Sequence, residues 1–173
     1  MSAVDYPDLD GLPPELREAI RQRGSLNVLR MVAHSPNLLP AFLHFGDDVL
    51  RRNSLPADLR ELAIVRVGHR YGAGYEHHHH ERLAARVGVD RAALDAARTG
   101  DTAGLPDDRA SVLRWTDALL DHHRLDDRQV GEALDLLSEN QLADLVLTVG
   151  FYQLVCGFLS TFGVTTEGET PPF

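Results

Sequence analysis

The chain has 173 residues, of which 43% are hydrophobic and 25% charged, and its formal net charge is −9. That length suits one domain built on a single substantial core. The negative charge is spread along the chain and no Lys/Arg cluster interrupts it, which argues against a nucleic-acid partner and for a soluble acidic surface. Cys156 is the only cysteine. It can form neither an internal disulfide nor a CxxC pair, and the acidic N-terminus carries no apolar leader segment, so a reducing cytoplasm is the expected location.

Strand signals are nearly absent, and helical periodicity recurs instead. A first helix is expected after Leu12, where Pro13 and Pro14 suit a first turn and Glu15 and Glu18 suit its positive end; Gly24 closes it. A second, short helix is expected from Ser25, read as its N-cap, to about His34. After Ser35-Pro36-Asn37 a third covers about Leu38 to Arg52. The fourth runs from about Ala57 to Tyr71, with Leu59, Leu62, Ala63 and Val67 as its apolar stripe. Gly72-Ala73-Gly74 reads as a tight helix–helix junction, because two glycines so close disfavour a continuous helix.

A fifth helix is expected from about Tyr75 to Arg86, stopping at Gly88, and a short sixth from Asp90, its cap, to Ala97. Gly100 to Pro106 reads as a loop. Helices then follow over Asp107–His122, Asp126–Leu137 and Glu139 to about Phe162. With no repeat and no second domain, residues 1–173 read as one all-α compact helical bundle, 12–164 forming the helical core and 165–173 a loose tail.

Leu145 to Val164 carries no charged residue and is long enough to span a bilayer. It also contains Thr148, Gln153, Ser160 and Thr161 and three glycines, with Asp144 at its edge and no Lys/Arg flank. No membrane role is therefore expected; the segment reads as a helix buried by its own core or by a neighbouring subunit.

The segment ELAIVRVGHRYGAGYEHHHHERLA, beginning at Glu61, concentrates carboxylates and histidines around a glycine hinge. Glu76 and His80 are i and i+4 on one helix and share a face. A carboxylate beside an imidazole holds the ring, sets its tautomer and raises its pKa. Glu61, on the preceding helix, completes a plausible acid/base trio. A metal site is a competing reading, since Glu76/His80 and His77/Glu81 are both i, i+4 pairs of ligating side chains. Four consecutive histidines, however, point around the helix and cannot all face one ion, and no HExxH motif occurs; no metal and no cofactor is expected. His78 and His79 read as a solvated face.

This segment resembles the carboxymuconolactone decarboxylase and alkylhydroperoxidase-D-like superfamily, whose redox members carry E-x11-C-x2-C-x3-H. Glu61, Ala73, Glu76 and His80 stand at that spacing, with the glutamate and histidine kept and both cysteines replaced. The later ENQLADLVLTVGFYQLVCGFLSTFGV resembles the family's long final helix. The resemblance implies the family's all-helical fold and oligomers, commonly trimers or hexamers. Thiol peroxidase chemistry needs a thiolate and a partner thiol, which Ala73 and Glu76 do not supply. Cys156, in an apolar helix, reads as an inert core residue.

The non-redox branch is the better match, and it implies a cofactor-free lyase or isomerase acting on a small carboxylated lactone or an enolisable carbonyl compound. His80 is the expected acid/base group, Glu76 its orienting partner or the base, and Glu61 the residue that holds the network or tunes its pKa. Tyr75 and His77 are expected to line the site. Arg66 or Arg70 is a candidate for binding a substrate carboxylate, against the alternative of a surface salt bridge. The competing class is a catalytically degenerate oligomer that binds a metabolite without turning it over.

Overall fold

A computed structural model describes residues 4–168. All regular structure among them is helical: a 3-10 turn at Leu9–Gly11, then α1 (Pro14–Gln22), α2 (Asn27–Val32), α3 (Leu39–Arg51), α4 (Ala57–Tyr71), α5 (Gly74–Arg86), α6 (Arg91–Thr99), α7 (Asp107–His122), α8 (Asp127–Leu136) and α9 (Glu139–Phe162). The expected all-α class and helix order hold. The chain divides into two compact units, one of Met1–Arg52 with Phe158–Phe173 and one of Asn53–Gly157.

In the first unit, α1 opens at Pro14, where the missing N–H would have had no helical partner. The expected cap of α2 is corrected. Ser25 adopts a left-handed φ of 52° directly after Gly24 at 76°, and its N–H closes α1 on the Ile20 carbonyl at 3.1 Å. Leu26 is the N-cap of α2 and offers no side-chain bond. A distant residue takes over that role: the Glu167 carboxylate accepts the Asn27 N–H at 2.7 Å. A negative group at a helix N-terminus satisfies free donors and complements the dipole. The Asn27 side chain also donates to the Thr165 carbonyl at 2.9 Å, and Thr166 is buried. Residues 165–167 of the expected loose tail are thus tied down, while 169–173 lie outside the described residues.

In the second unit, α4 is the central helix. Glu61 to Gly68 are all buried, so the sequence-derived stripe of Leu59, Leu62, Ala63 and Val67 is only part of what it buries. A helix buried nearly all round is enclosed by neighbours on most sides, and the charged Glu61 and Arg66 within that span need partners there. Leu62 and Val65 of α4 pack with Ala84 of α5, Val89, then Ala93, Ala96 and Ala97 of α6, and Leu113 of α7. The alanines let α6 approach closely, and tight packing of this kind tolerates little change in volume.

Polar contacts fix the rest of the unit. Ser54 donates both its N–H and its hydroxyl to Asp144 at 2.6 Å, and Asn53 donates to Thr148 at 2.8 Å, holding the start of α4 against α9. Asp90 caps α6 by accepting the Ala93 N–H, and Asp126 with Gln129 forms a capping box on α8. The α4–α5 junction is tighter than the sequence suggested. Gly72 ends α4 in the left-handed region, Ala73 caps α5, and Gly74 is already helical.

The glycine that permits close approach is Gly68, not the hinge pair. A Cβ there would lie 3.1 Å from both the Glu76 Cβ and the His77 Cδ2, whereas one at Gly72 or Gly74 would meet nothing.

Helix α9 is long and apolar enough by length and composition to cross a membrane. Leu145, Val149, Tyr152, Val155, Cys156 and Leu159 are buried within the protein, while Val146, Leu147 and Leu154 are exposed.

Gly68→Val should lower stability by about 1–3 kcal/mol through overpacking at the α4–α5 crossing. Gly131→Ala, inside α8 with open space around it, should be neutral or stabilising by up to about 1 kcal/mol. Urea denaturation midpoints of the two variants check both expectations.

Candidate functional site

Helices α4 and α5 bring Glu61, Glu76 and His80 together. Their fractional exposures are 2, 3 and 7%, so the cluster is shielded from bulk water and its electrostatics are correspondingly strong. His80 Nδ1 lies 2.7 Å from Glu61 Oε2. An ionised carboxylate only accepts, so this contact assigns the proton to Nδ1 and leaves Nε2 facing Glu76, whose Oε2 is 3.4 Å away. Of the two places expected for Glu76, orienting partner or base, the geometry fits the second: Glu61 holds the ring through Nδ1, and Glu76, the i−4 neighbour, stands at the other nitrogen. The other oxygen of Glu61 faces Arg60, whose Nε and Nη2 both approach it at 3.4 Å.

The Glu76 carboxyl is perturbed. Burial raises its pKa above the ordinary 4.5, His80 opposes that rise and Glu61 adds to it. Its Oε2 is buried and hydrogen-bonds no protein group. A carboxyl in that setting favours its neutral form and becomes an O–H donor or a transferable proton.

Two residues of α9 complete the surroundings, and neither was selected from the sequence. The Tyr152 ring packs edge-on against the His80 ring, 4.9 Å between centroids at 83°. Burial, then the charges of Glu76 and Glu61, hold its hydroxyl neutral well beyond the ordinary 10.0. Burial, with Glu76 adding to it, likewise pushes the Cys156 thiol far above its ordinary 9.0. A neutral buried thiol is a poor nucleophile, in keeping with the inert role expected for it. Nothing local marks Tyr152 in the sequence; the available signal was a polar-tipped aromatic within an uncharged run.

The remaining candidates go elsewhere. Tyr75 is buried with its ring on His79, 4.5 Å between centroids. His77 stacks on His69 at 3.9 Å, and His69 Nε2 meets Glu81 Oε1 at 3.0 Å. Burial, and next His77, depress the His69 pKa, against the pull of Glu81. His78 and His79, expected on a solvated face, are both partly buried. The two i, i+4 pairs read as possible ligand sets diverge, His80 towards Glu61 and Glu81 towards His69. No group of three His, Cys, Asp or Glu side chains among the described residues is arranged to hold a metal ion.

Arg66 is not at the cluster. Its guanidinium forks onto Asp117 through Nε at 2.7 Å and Nη2 at 2.9 Å, and Nη1 donates to the Ala97 carbonyl at 2.9 Å near the end of α6. It is a buried structural tie, neither a surface salt bridge nor a free anion binder, because these partners already occupy its planar donor fork. Arg70 is the surface counterpart, paired with Asp117 and Asp121.

The carboxymuconolactone decarboxylase family model matches residues 36–118, a span that holds Glu61, Glu76 and His80 but not α9. No curated protein matches the chain in sequence. Among solved structures, an uncharacterized peroxidase-related protein from Ralstonia eutropha JMP134, described as an alkylhydroperoxidase AhpD core, superposes with a TM-score of 0.85 at 18% identity, covering 96% of this chain and 93% of that one. An uncharacterized peroxidase-related protein from Silicibacter sp. TM1040 gives 0.82 at 18% identity over 96% and 92%. A cysteine-to-alanine variant of the debrominase Bmp8, in complex with 2,3,4-tribromopyrrole, gives 0.74 at 18% identity over 97% and 95%. At such identity these likenesses speak for the fold alone, and the fold is alkylhydroperoxidase-D-like.

Glu76 binds its proton more tightly in the folded protein than in the unfolded chain. Its contribution therefore lowers stability as pH rises from the ordinary 4.5 through the raised folded value, and is constant above that. Glu76→Gln should be more stable than the parent above this window, with the gap closing as pH falls towards it. Thermal melts of both proteins across that pH range provide the check.

Proposed function

We propose that this chain, whose residues 36–118 are a carboxymuconolactone decarboxylase family segment, is a cofactor-free acid/base lyase or isomerase. Its substrate class is a small carboxylated lactone or an enolisable carbonyl compound. The observation that carries this reading is the buried 2.7 Å contact between Glu61 and His80 Nδ1, with a carboxyl that favours its proton set beside Nε2. A base whose other nitrogen is fixed by a carboxylate, next to a neutral acid, is the equipment for moving a proton to or from carbon.

For decarboxylation the sequence of events balances without another reagent. The bond between the ring carbon and the carboxylate breaks, CO₂ leaves, and the electron pair passes into the conjugated carbonyl as a dienolate. Glu76 passes its proton to His80 Nε2, and the resulting imidazolium, stabilised by Glu61 at Nδ1, delivers that proton to carbon. Glu76, left as the carboxylate, regains a proton from water, and the hydroxide formed is taken up by the released CO₂ as bicarbonate. For isomerisation the same groups remove a proton from one carbon and replace it on another. Arg66 and Arg70 take no part here, since Asp117 and Asp121 hold them.

The debrominase of the same fold binds a small planar conjugated ring, which is the substrate size class proposed for this chain. Thiol peroxidase chemistry is not proposed, because Ala73 and Glu76 stand where that chemistry needs cysteines. The chain is further proposed to be a soluble cytoplasmic homo-oligomer, a trimer or hexamer, working as a single domain on a small molecule. The exposed, uncharged Val146, Leu147 and Leu154 on α9 support the oligomer, as apolar surface of that kind favours a partner.

The test is a spectrophotometric assay of 4-carboxymuconolactone decarboxylation. The parent should turn over, and His80→Ala and Glu76→Gln should each lose about 10²-fold or more. A parent with no turnover discards that substrate; turnover that survives both substitutions discards the site.

A further inference from the structure

We propose that the exposed face of α9 is a two-fold joint to a second copy of this chain, in which the two helices run antiparallel and each leucine of one sits over a glycine of the other. The inference deepens the homo-oligomer part of the reading above, on which it rests, and is independent of the acid/base chemistry.

The two faces of α9 differ. Leu145, Val149, Tyr152 and Cys156 are buried, whereas Ala143, Leu147, Gly150 and Leu154 are exposed and Gly157 is half-buried. Leu147 and Leu154 are 53 and 57% exposed, and a Cβ added at Gly150 or Gly157 would meet nothing. Ala143, Leu147, Gly150, Leu154 and Gly157 are spaced alternately four and three residues apart, the a/d spacing of a coiled-coil seam. Leucine holds the a places, and a small residue holds each d place.

That pattern is complementary to itself in one orientation. Leu147 and Gly157 lie equally far to either side of Tyr152, and so do Gly150 and Leu154. A single two-fold axis level with Tyr152 therefore sets Leu147 on the partner's Gly157 and Leu154 on the partner's Gly150, with the reciprocal contacts supplied by symmetry. A parallel pair would set leucine on leucine and glycine on glycine, wedging the helices apart in one layer and leaving a void in the next.

Charge favours the same face. The chain carries a net charge of −9, so two copies repel one another in most approaches. From Leu145 to Phe162 α9 carries no charge, and Asp144 is tied to Ser54. The seam runs about 20 Å along the helix and falls short of the roughly 1,200 Å² that a stable free-standing pair buries. It is therefore a joint between units held together by other contacts. Of a trimer and a hexamer it selects the hexamer, two trimers joined through α9, because a lone trimer has no two-fold axis.

Molar mass by light scattering, at matched protein concentration, reads the joint. The parent should contain an even number of copies, and Gly150→Leu should halve its mass, with the circular dichroism of the helices kept because nothing in the same chain opposes a side chain there. Combining Gly150→Leu with Leu154→Gly exchanges knob and hole and should restore the parent's mass, a rescue that a damaged protomer would not show. Leu154→Glu, at an exposed position, gives the same halving should Gly150→Leu not fold.

A trimeric parent, or an even-numbered one that none of these substitutions divides, overturns the joint and leaves the oligomer standing. A monomeric parent overturns both. A dimeric parent that Gly150→Leu splits sustains the joint and overturns the hexamer. Parent protein that floats with phosphatidylcholine vesicles gives this face to lipid and overturns the inference.

Discussion

The contact on which the site depends is the one between Glu61 on α4 and His80 on α5. It spans two helices that meet closely because Gly68 has no side chain to hold them apart. Without that approach, Glu61 would be a buried carboxylate with only the long contacts of Arg60, and His80 would lose the group that fixes its tautomer. Taking an ion out of water costs of order several kcal/mol even after relaxation, and an apolar set of similar volume would often be as stable or more so. Stabilisation therefore does not account for a Glu–His–Glu cluster this deep, which is the ground for the acid/base role proposed for it.

Burial divides the acidic and basic tasks among similar side chains. Glu61 has an imidazole on one oxygen and a guanidinium near the other. Glu76 has its Oε2 hydrogen-bonded to nothing and favours the neutral form. Two carboxyls on neighbouring helices thus sit in unequal environments, and it is on that inequality that the proposed separation into orienter and proton donor rests. The same burial keeps the phenol of Tyr152 and the thiol of Cys156 neutral. The replacement of the redox cysteines by Ala73 and Glu76 is therefore not made good by the thiol that remains.

Arg66 shows how the fold spends a residue that looked functional. Its guanidinium joins α4 to the end of α6 and to α7 through Ala97 and Asp117. A Cβ at Gly100 would stand 2.7 Å from its Nη2, so the turn after α6 is shaped around this side chain. The role is architectural: it holds in place the helix that carries Glu61.

The helices were legible in the sequence because their signals are local. Ala57–Tyr71 follows from its apolar periodicity and the Asp90 cap from its place before a short helix, whereas Asp126, read as the first residue of its helix, is in fact the N-cap. The spacing of Glu61, Glu76 and His80 was equally legible, as was the absence of a redox cysteine pair. Ser25 failed as a cap because Glu167, far along the chain, supplies the negative group at the start of α2. Which carboxylate holds His80, where Arg66 is engaged, and that Tyr152 lies against the imidazole were decided by tertiary structure alone. Periodicity tells which face a side chain occupies, but the partner it meets is set by how closely two helices cross, and here a single glycine and a distant helix decide that.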